Sequence, residues 1–154
     1  MPKIDPPAWR EGEGGGNAVF GAGNGPYADV PLGDAAGLTQ FGVRLERLAP
    51  GSRSSYRHRH ETEDEFVYLL SGELLLIEDE ETLLRAGDAA AWSAGAPVAH
   101  CLENRSSSDA TVLVVGARRP SDRVHYPDHD IVMHRDGTDC RFTRPDGSPV
   151  SSGS

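Results

Sequence analysis

Short runs of alternating apolar and polar residues fill the centre of this 154-residue chain. In Gln40 to Leu48 (QFGVRLERL), Phe41, Val43 and Leu45 alternate as in a strand. Phe41, Leu45 and Leu48 would also suit a helix face, but Gly42 and the Pro50-Gly51 turn favour the strand. Ser52 to His60 continues as a strand with Ser54, Tyr56, His58 and His60 on one face. Glu65 to Leu70 sets Glu65, Val67 and Leu69 against Phe66, Tyr68 and Leu70, so both faces are largely apolar, and Thr111 to Val115 (TVLVV) repeats this. A solvent-exposed sheet would not have that pattern. Leu74 to Ile77, Thr82 to Arg85, Ala89 to Trp92 and Val98 to Glu103 are further strands. Between them lie the turn signals Gly72-Glu73, Asp79-Glu80-Glu81 and Ala86-Gly87-Asp88, and the loop Ser93 to Pro97. Strands spaced by about 8 to 12 residues with turns between them predict a barrel or sandwich.

The ends read differently. Residues 1–31 are rich in Gly and Pro with little periodicity, which predicts an arm that is loose or laid over the barrel, with Trp9 and Phe20 as its anchors. Residues 32–118 form the barrel core. Residues 119–154 are a polar extension packing on it, with two short strands, Ile131 to His134 and Cys140 to Thr143, around the Asp136-Gly137 turn. With 18 Gly and 11 Pro, turns are many and long helices few, so the fold class is all-β. A net charge of -9 excludes a basic footprint for nucleic acid or an anionic membrane, and the trio Arg118, Arg119, Arg123 is too small to supply one. No apolar stretch reaches the roughly 20 residues that cross a bilayer, and the beginning of the chain lacks a charged-then-apolar leader pattern, which predicts a cytoplasmic protein. Cys101 and Cys140 form no disulfide framework and are read as thiols in a reducing compartment. The apolar outer face calls for a cover larger than two short polar tails, which predicts a homodimer.

The candidate chemistry lies in Gly51 to Gly72, GSRSSYRHRHETEDEFVYLLSG. His58 and His60, two apart on a strand rising about 3.3 Å per residue, put two imidazoles side by side. The polar segment Glu61 to Asp64 turns the chain so that Glu65 points into the same space from the neighbouring strand. His100, in Gly87 to Asn104 (GDAAAWSAGAPVAHCLEN), is a third imidazole. Three histidines and one carboxylate suit a divalent first-row transition metal (Fe, Mn, Co, Ni, Cu or Zn) rather than calcium or magnesium. Tyr56 shares the face of His58 and has a proton to give, so it is the candidate catalytic residue. His125, His129 and His134 have a zinc-like helical spacing, but Pro127 disfavours the helix and they are read as structural or surface residues. Cys101 points away from the metal, and Asn104 caps a strand end.

Gly51, His58, His60, Glu65 and Gly72 resemble the first motif of the cupin superfamily. Gly87, Gly95, His100 and Asn104 resemble its second motif, with Ser93 in place of the usual proline and four residues rather than two between Gly95 and His100. The chain is thus similar to a small single-domain cupin. That resemblance implies a double-stranded β-helix, or jelly-roll, barrel with His58, His60, Glu65 and His100 as metal ligands. It also implies a small-molecule partner, an organic acid or phenolic compound, handled by dioxygenase, isomerase or decarboxylase chemistry. The alternative it carries is a non-catalytic barrel that binds a sugar-like molecule or a metal.

Overall fold

The computed structural model describes residues 3–150. In chain order the elements are β1 (Arg10–Gly12), β2 (Tyr27–Val30), a single helical turn α1 (Leu32–Ala35), β3 (Phe41–Leu48), β4 (Arg59–His60), β5 (Glu65–Ser71), β6 (Glu73–Ile77), β7 (Glu81–Arg85), β8 (Ala89–Trp92), β9 (Cys101–Glu103), β10 (Ala110–Ala117), β11 (Ser121–Tyr126), β12 (Ile131–Asp136) and β13 (Asp139–Thr143). One wall is a six-stranded antiparallel sheet in the order β1-β2-β3-β10-β5-β8. The facing wall is built from a four-stranded sheet, β13-β12-β11-β4, and a three-stranded one, β7-β6-β9. Isolated bridges Arg53↔Glu103 and His58↔His100 stitch these two together along the segment that leads into β4. This is an all-β barrel, as the spacing of turns predicts, in the jelly-roll form that the cupin resemblance implies. Among the described residues no helix is long and apolar enough to cross a membrane.

The rows of paired residues across β3, β10 and β5 explain why the barrel is solid at one end and hollow at the other. Ala110 pairs with Leu48, and Val112 with Glu46 and Leu69. Next, Val114 pairs with Arg44 and Val67, and finally Gly116 with Gly42 and Glu65. Inward residues therefore shrink and gain charge from one end of the sheet to the other. At the solid end Leu48, Leu69 and Val112 pack against Leu74, Leu76, Leu84 and Leu102 of the facing sheet. Full burial of each such side chain contributes about 1.5–3 kcal/mol. Gly72 makes the turn from β5 to β6 at φ 81°, where a Cβ would come within 2.7 Å of the Asp109 carbonyl oxygen, so both the backbone sign and the space call for glycine.

Several expectations need correction. Ser52 to His60 is not one regular strand; only Arg59–His60 is. Backbone pairing with the 100–104 segment survives at Ser52, Ser54 and His58 but is interrupted between them, and side chains add to it, with Ser52 Oγ donating to the Pro26 carbonyl and Ser54 Oγ accepting from the Leu102 amide. Glu65 does not come from the strand next to His60, because β4 pairs with β11 whereas β5 pairs with β10 and β8. It faces the histidines across the barrel. The segment expected as an arm, loose or laid over the barrel, lies on it by supplying β1 and β2 to the main sheet, with Ala28 and Val30 buried. Farther along it, Phe20 stacks on Tyr56, with ring centroids 4.5 Å apart. The extension 119–154 contributes β11, β12 and β13, most of the four-stranded wall, and residues 151–154 lie outside the description.

Candidate metal centre

At the hollow end a cavity of about 410 Å³ opens between the walls. His58, His60 and His100 enter it from the facing wall, and Glu65 from the six-stranded sheet. Their nitrogens converge on one carboxylate. His100 Nε2 lies 2.8 Å and His58 Nε2 3.5 Å from Glu65 Oε2, while His60 Nε2 lies 3.4 Å from Oε1. The ligand atoms of His58, Glu65 and His100 all lie within 4.8 Å of one another. For bonds of about 2.1 Å, neighbouring ligands in one coordination shell stand about 3.0 Å apart in an octahedron and about 3.4 Å in a tetrahedron, so the observed separations fit a group able to hold one ion.

The tautomers support the same reading. His58 Nδ1 is 2.8 Å from the Tyr56 carbonyl oxygen, which can only accept, so Nδ1 carries a hydrogen and Nε2 is left as a lone pair. Ser55 Oγ also lies 3.1 Å from this nitrogen. His60 Nδ1 is 2.5 Å from Asp122 Oδ2, with the same consequence at its Nε2. Lone pairs and a carboxylate facing one another in a largely buried space are stabilised by a cation or by protons between them. Glu65 Oε2 is itself buried and makes no hydrogen bond of good geometry, even though His100 Nε2 is so close. Without an ion, protons must take its place. Burial opposes the charge on Glu65, yet the three imidazoles outweigh it and hold the carboxyl well below its usual range. Burial likewise opposes charge on His60, but Glu65 and Asp122 push it up to about 9.

A ring of supports fixes these side chains. Trp92, paired with Glu65 across β8 and β5, stacks flat on His100 at 3.5 Å and 3°, and its indole nitrogen donates to Glu78. Asp122 is fully buried and accepts from both the amide and the hydroxyl of Thr62. Glu63 accepts from Arg135 and from the Arg119 amide, 2.9 Å away. Among the described residues Tyr126 is the only tyrosine lining the cavity, 5.8 Å from His58 between ring centroids, and burial pushes its hydroxyl up to about 12. Asp122 and Tyr126 lie on β11, inside a stretch that reads as a polar tail. The alternation Asp122, Val124, Tyr126 was the signal that could have found them.

Tyr56 is not at the centre. Its hydroxyl donates to the Ala22 carbonyl at 2.8 Å and its ring packs on Phe20, because irregular backbone between Ser52 and Arg59 breaks the alternation that would have aimed it inward. His125 pairs with Glu61, His134 with Thr143, and His129 packs against Phe20 and Tyr56, so these three do not converge. Cys101 is buried beside the leucines, its thiol pushed up to about 11 by that burial. Asn104 is fully buried and donates to the Leu48 and Ser108 carbonyls, locking a loop rather than facing the cavity.

A two-walled antiparallel barrel with imidazoles and a carboxylate gathered at its hollow end defines a jelly-roll protein of the histidine–carboxylate kind. Residues 44–116 match the cupin domain model. A sugar phosphate isomerase of the cupin superfamily from Silicibacter pomeroyi DSS-3 is 46% identical, over 82% of this chain and 81% of that one, with a TM-score of 0.79. A protein from Acidithiobacillus ferrooxidans ATCC 23270, provisionally named a sugar phosphate isomerase, is 28% identical over 83% and 82%, with a TM-score of 0.77. A protein from Thermotoga maritima, predicted to be an oxalate decarboxylase, is 26% identical over 62% and 83%, with a TM-score of 0.54. No curated protein matches the sequence. The chain belongs to the cupin family.

Proposed function

We propose that this cupin holds one divalent first-row transition metal on His58, His60, Glu65 and His100 and isomerises a phosphorylated sugar. The observation that carries the metal is the meeting of three Nε2 atoms and a buried, unsatisfied carboxylate oxygen at the bottom of a hollow barrel. The substrate class rests on likeness to the Silicibacter protein over four-fifths of both chains. Aldose–ketose exchange moves hydrogen between adjacent carbons bearing a carbonyl and a hydroxyl. A bound metal would supply Lewis-acid polarisation of those oxygens. The chain's own residues do the rest: Trp92 and Asp122 hold His100 and His60 in orientation, and Tyr126 keeps its proton and can donate a hydrogen bond to a substrate oxygen.

Metal analysis of protein purified without chelators, followed by NMR of the loaded protein with aldose phosphates and an oxygen electrode, tests this. The expected result is about one equivalent of transition metal and aldose–ketose interconversion without oxygen uptake. Oxygen consumption would favour the dioxygenase reading, and bound metal without turnover the non-catalytic one. The same proposal gives the protein a cytoplasmic location and a second copy as partner, since Phe66, Tyr68 and Leu70 stay 38%, 37% and 46% exposed on the outer face of β5. Light scattering that gives the mass of one chain would remove the dimer.

A further inference from the structure

We infer that Arg44 is the specificity residue that reads the phosphate of the substrate, across a glycine floor from Glu65; this rests on the phosphorylated-sugar reading above. Arg44, Arg10, Arg118 and Arg135 all line the metal-facing cavity, in a chain that is otherwise strongly acidic. Three of them are spent, Arg135 by giving one Nη to Glu63. Arg10 gives Nε and one Nη to Asp29, and Arg118 gives one Nη to Asp34 and the other to the Leu38 carbonyl. Arg44 differs. Only its Nε is engaged, 2.6 Å from Glu46 Oε1, and its two Nη groups make no hydrogen bond among the described residues. Glu46 is nearly buried, while the Arg44 side chain is 51% exposed. A fixed carboxylate grips the guanidinium from the side, so the outer fork remains free, and that fork matches two oxygens of a phosphate.

The path from this fork to the metal ligands is bare. Arg44 pairs with Val114, which pairs with Val67; one step along, Gly42 pairs with Gly116, which pairs with Glu65. Two strand spacings and a two-residue step put the Cα of Arg44 about 12 Å from that of Glu65. Both side chains point into the cavity from the same face, leaving between them a span that a short sugar chain fills. A Cβ on Gly116 would meet nothing nearer than the Asp64 carbonyl oxygen at 3.8 Å, so the missing side chain leaves room over the sheet rather than relieving a clash. At Gly42 a Cβ would sit 3.4 Å from Arg118 Nε, so the floor continues beneath that arginine. A phosphate on Arg44 and the sugar's reacting end at Glu65 are thus compatible with one extended ligand.

Calorimetric titration of the metal-loaded full chain tests this with a panel of aldose and ketose phosphates of three to seven carbons, each beside its unphosphorylated sugar. The wild type should prefer a phosphorylated member. Arg44→Ala should weaken that ligand at least 10-fold, leave the unphosphorylated sugar within 2-fold and leave metal content unchanged. Arg44→Lys, which keeps the charge without the fork and serves if the alanine variant does not fold, should recover only part of the loss. If Arg44→Ala retains the preference, or Arg10→Ala, Arg118→Ala or Arg135→Ala carries the loss instead, the assignment to Arg44 is overturned while the phosphorylated-sugar reading stands. If the wild type prefers no phosphorylated member, that reading fails and the subsite with it.

Discussion

His60 stands between two acidic groups that use it in opposite ways. On its Nε2 side it faces Glu65 with His58 and His100; on its Nδ1 side it faces Asp122 and Glu63, the latter 3.7 Å away. His58, Glu65 and His100 on one side, and His60, Glu63 and Asp122 on the other, each bring ligand atoms close enough to hold an ion. They differ in what is already satisfied. Asp122 accepts from His60 and Thr62, and Glu63 from Arg135 and the Arg119 amide, so the second group has its cations and donors built in. In the first group the lone pairs of His58 and His60 aim at a carboxylate whose Oε2 has no well-formed hydrogen bond. Closeness of ligands does not distinguish a metal centre from a support; unspent valence does.

The largest test of that contrast removes a ligand from the first group. His58→Ala or Glu65→Ala should abolish metal retention after dialysis, by elemental analysis, with far-ultraviolet circular dichroism kept. Full retention in either variant would move the centre elsewhere. Asp122→Asn should cost roughly 10- to 100-fold in metal affinity, because it only orients His60; a loss as complete as that of His58→Ala would make the second group part of the first.

Acidity separates the two states of the centre next. Without metal, His60 is pushed from its ordinary 6.5 up to about 9 by Glu65 and Asp122 against the effect of burial. A folded value above the unfolded one means stability that is complete below pH 6.5 and lost as pH rises through 9. Metal-stripped protein should therefore melt at progressively lower temperature over that window. Loaded protein should lack this decline and instead release metal as pH falls through the histidine range near 6.5. Parallel melting curves for the two forms would contradict it. The smallest effect on metal should come from Glu63→Gln, within about 3-fold. Its cost should appear as stability, about 1–3 kcal/mol by denaturant titration, since Arg135 loses its partner.

The converging residues proposed as ligands were legible because strand alternation and spacing are local properties: His58, His60, Glu65 and His100 can be picked from the chain by residue type and motif. What holds them was not legible. Asp122 reaches His60 across 62 positions through the pairing of β11 with β4, which no local pattern announces. The polar look of DRVHY concealed a strand whose inward face is Asp122, Val124 and Tyr126. Tyr56 lies off the centre for the opposite reason, since its parity is right but the backbone bends between Ser54 and His58 and breaks the strand that parity assumes. Along β3, β10 and β5 the pattern and the structure agree, because both sides of a buried sheet are written directly into the sequence as alternation.

Trp92 lies flat against His100, while the chain's other indole, Trp9, sits near the surface under the Arg47 guanidinium. The protein thereby carries its own optical gauge. Light absorbed by the inner indole is emitted within van der Waals reach of a proposed metal-bearing ring, so filling the centre with a paramagnetic ion should dim that emission and leave Trp9 as a steady internal reference.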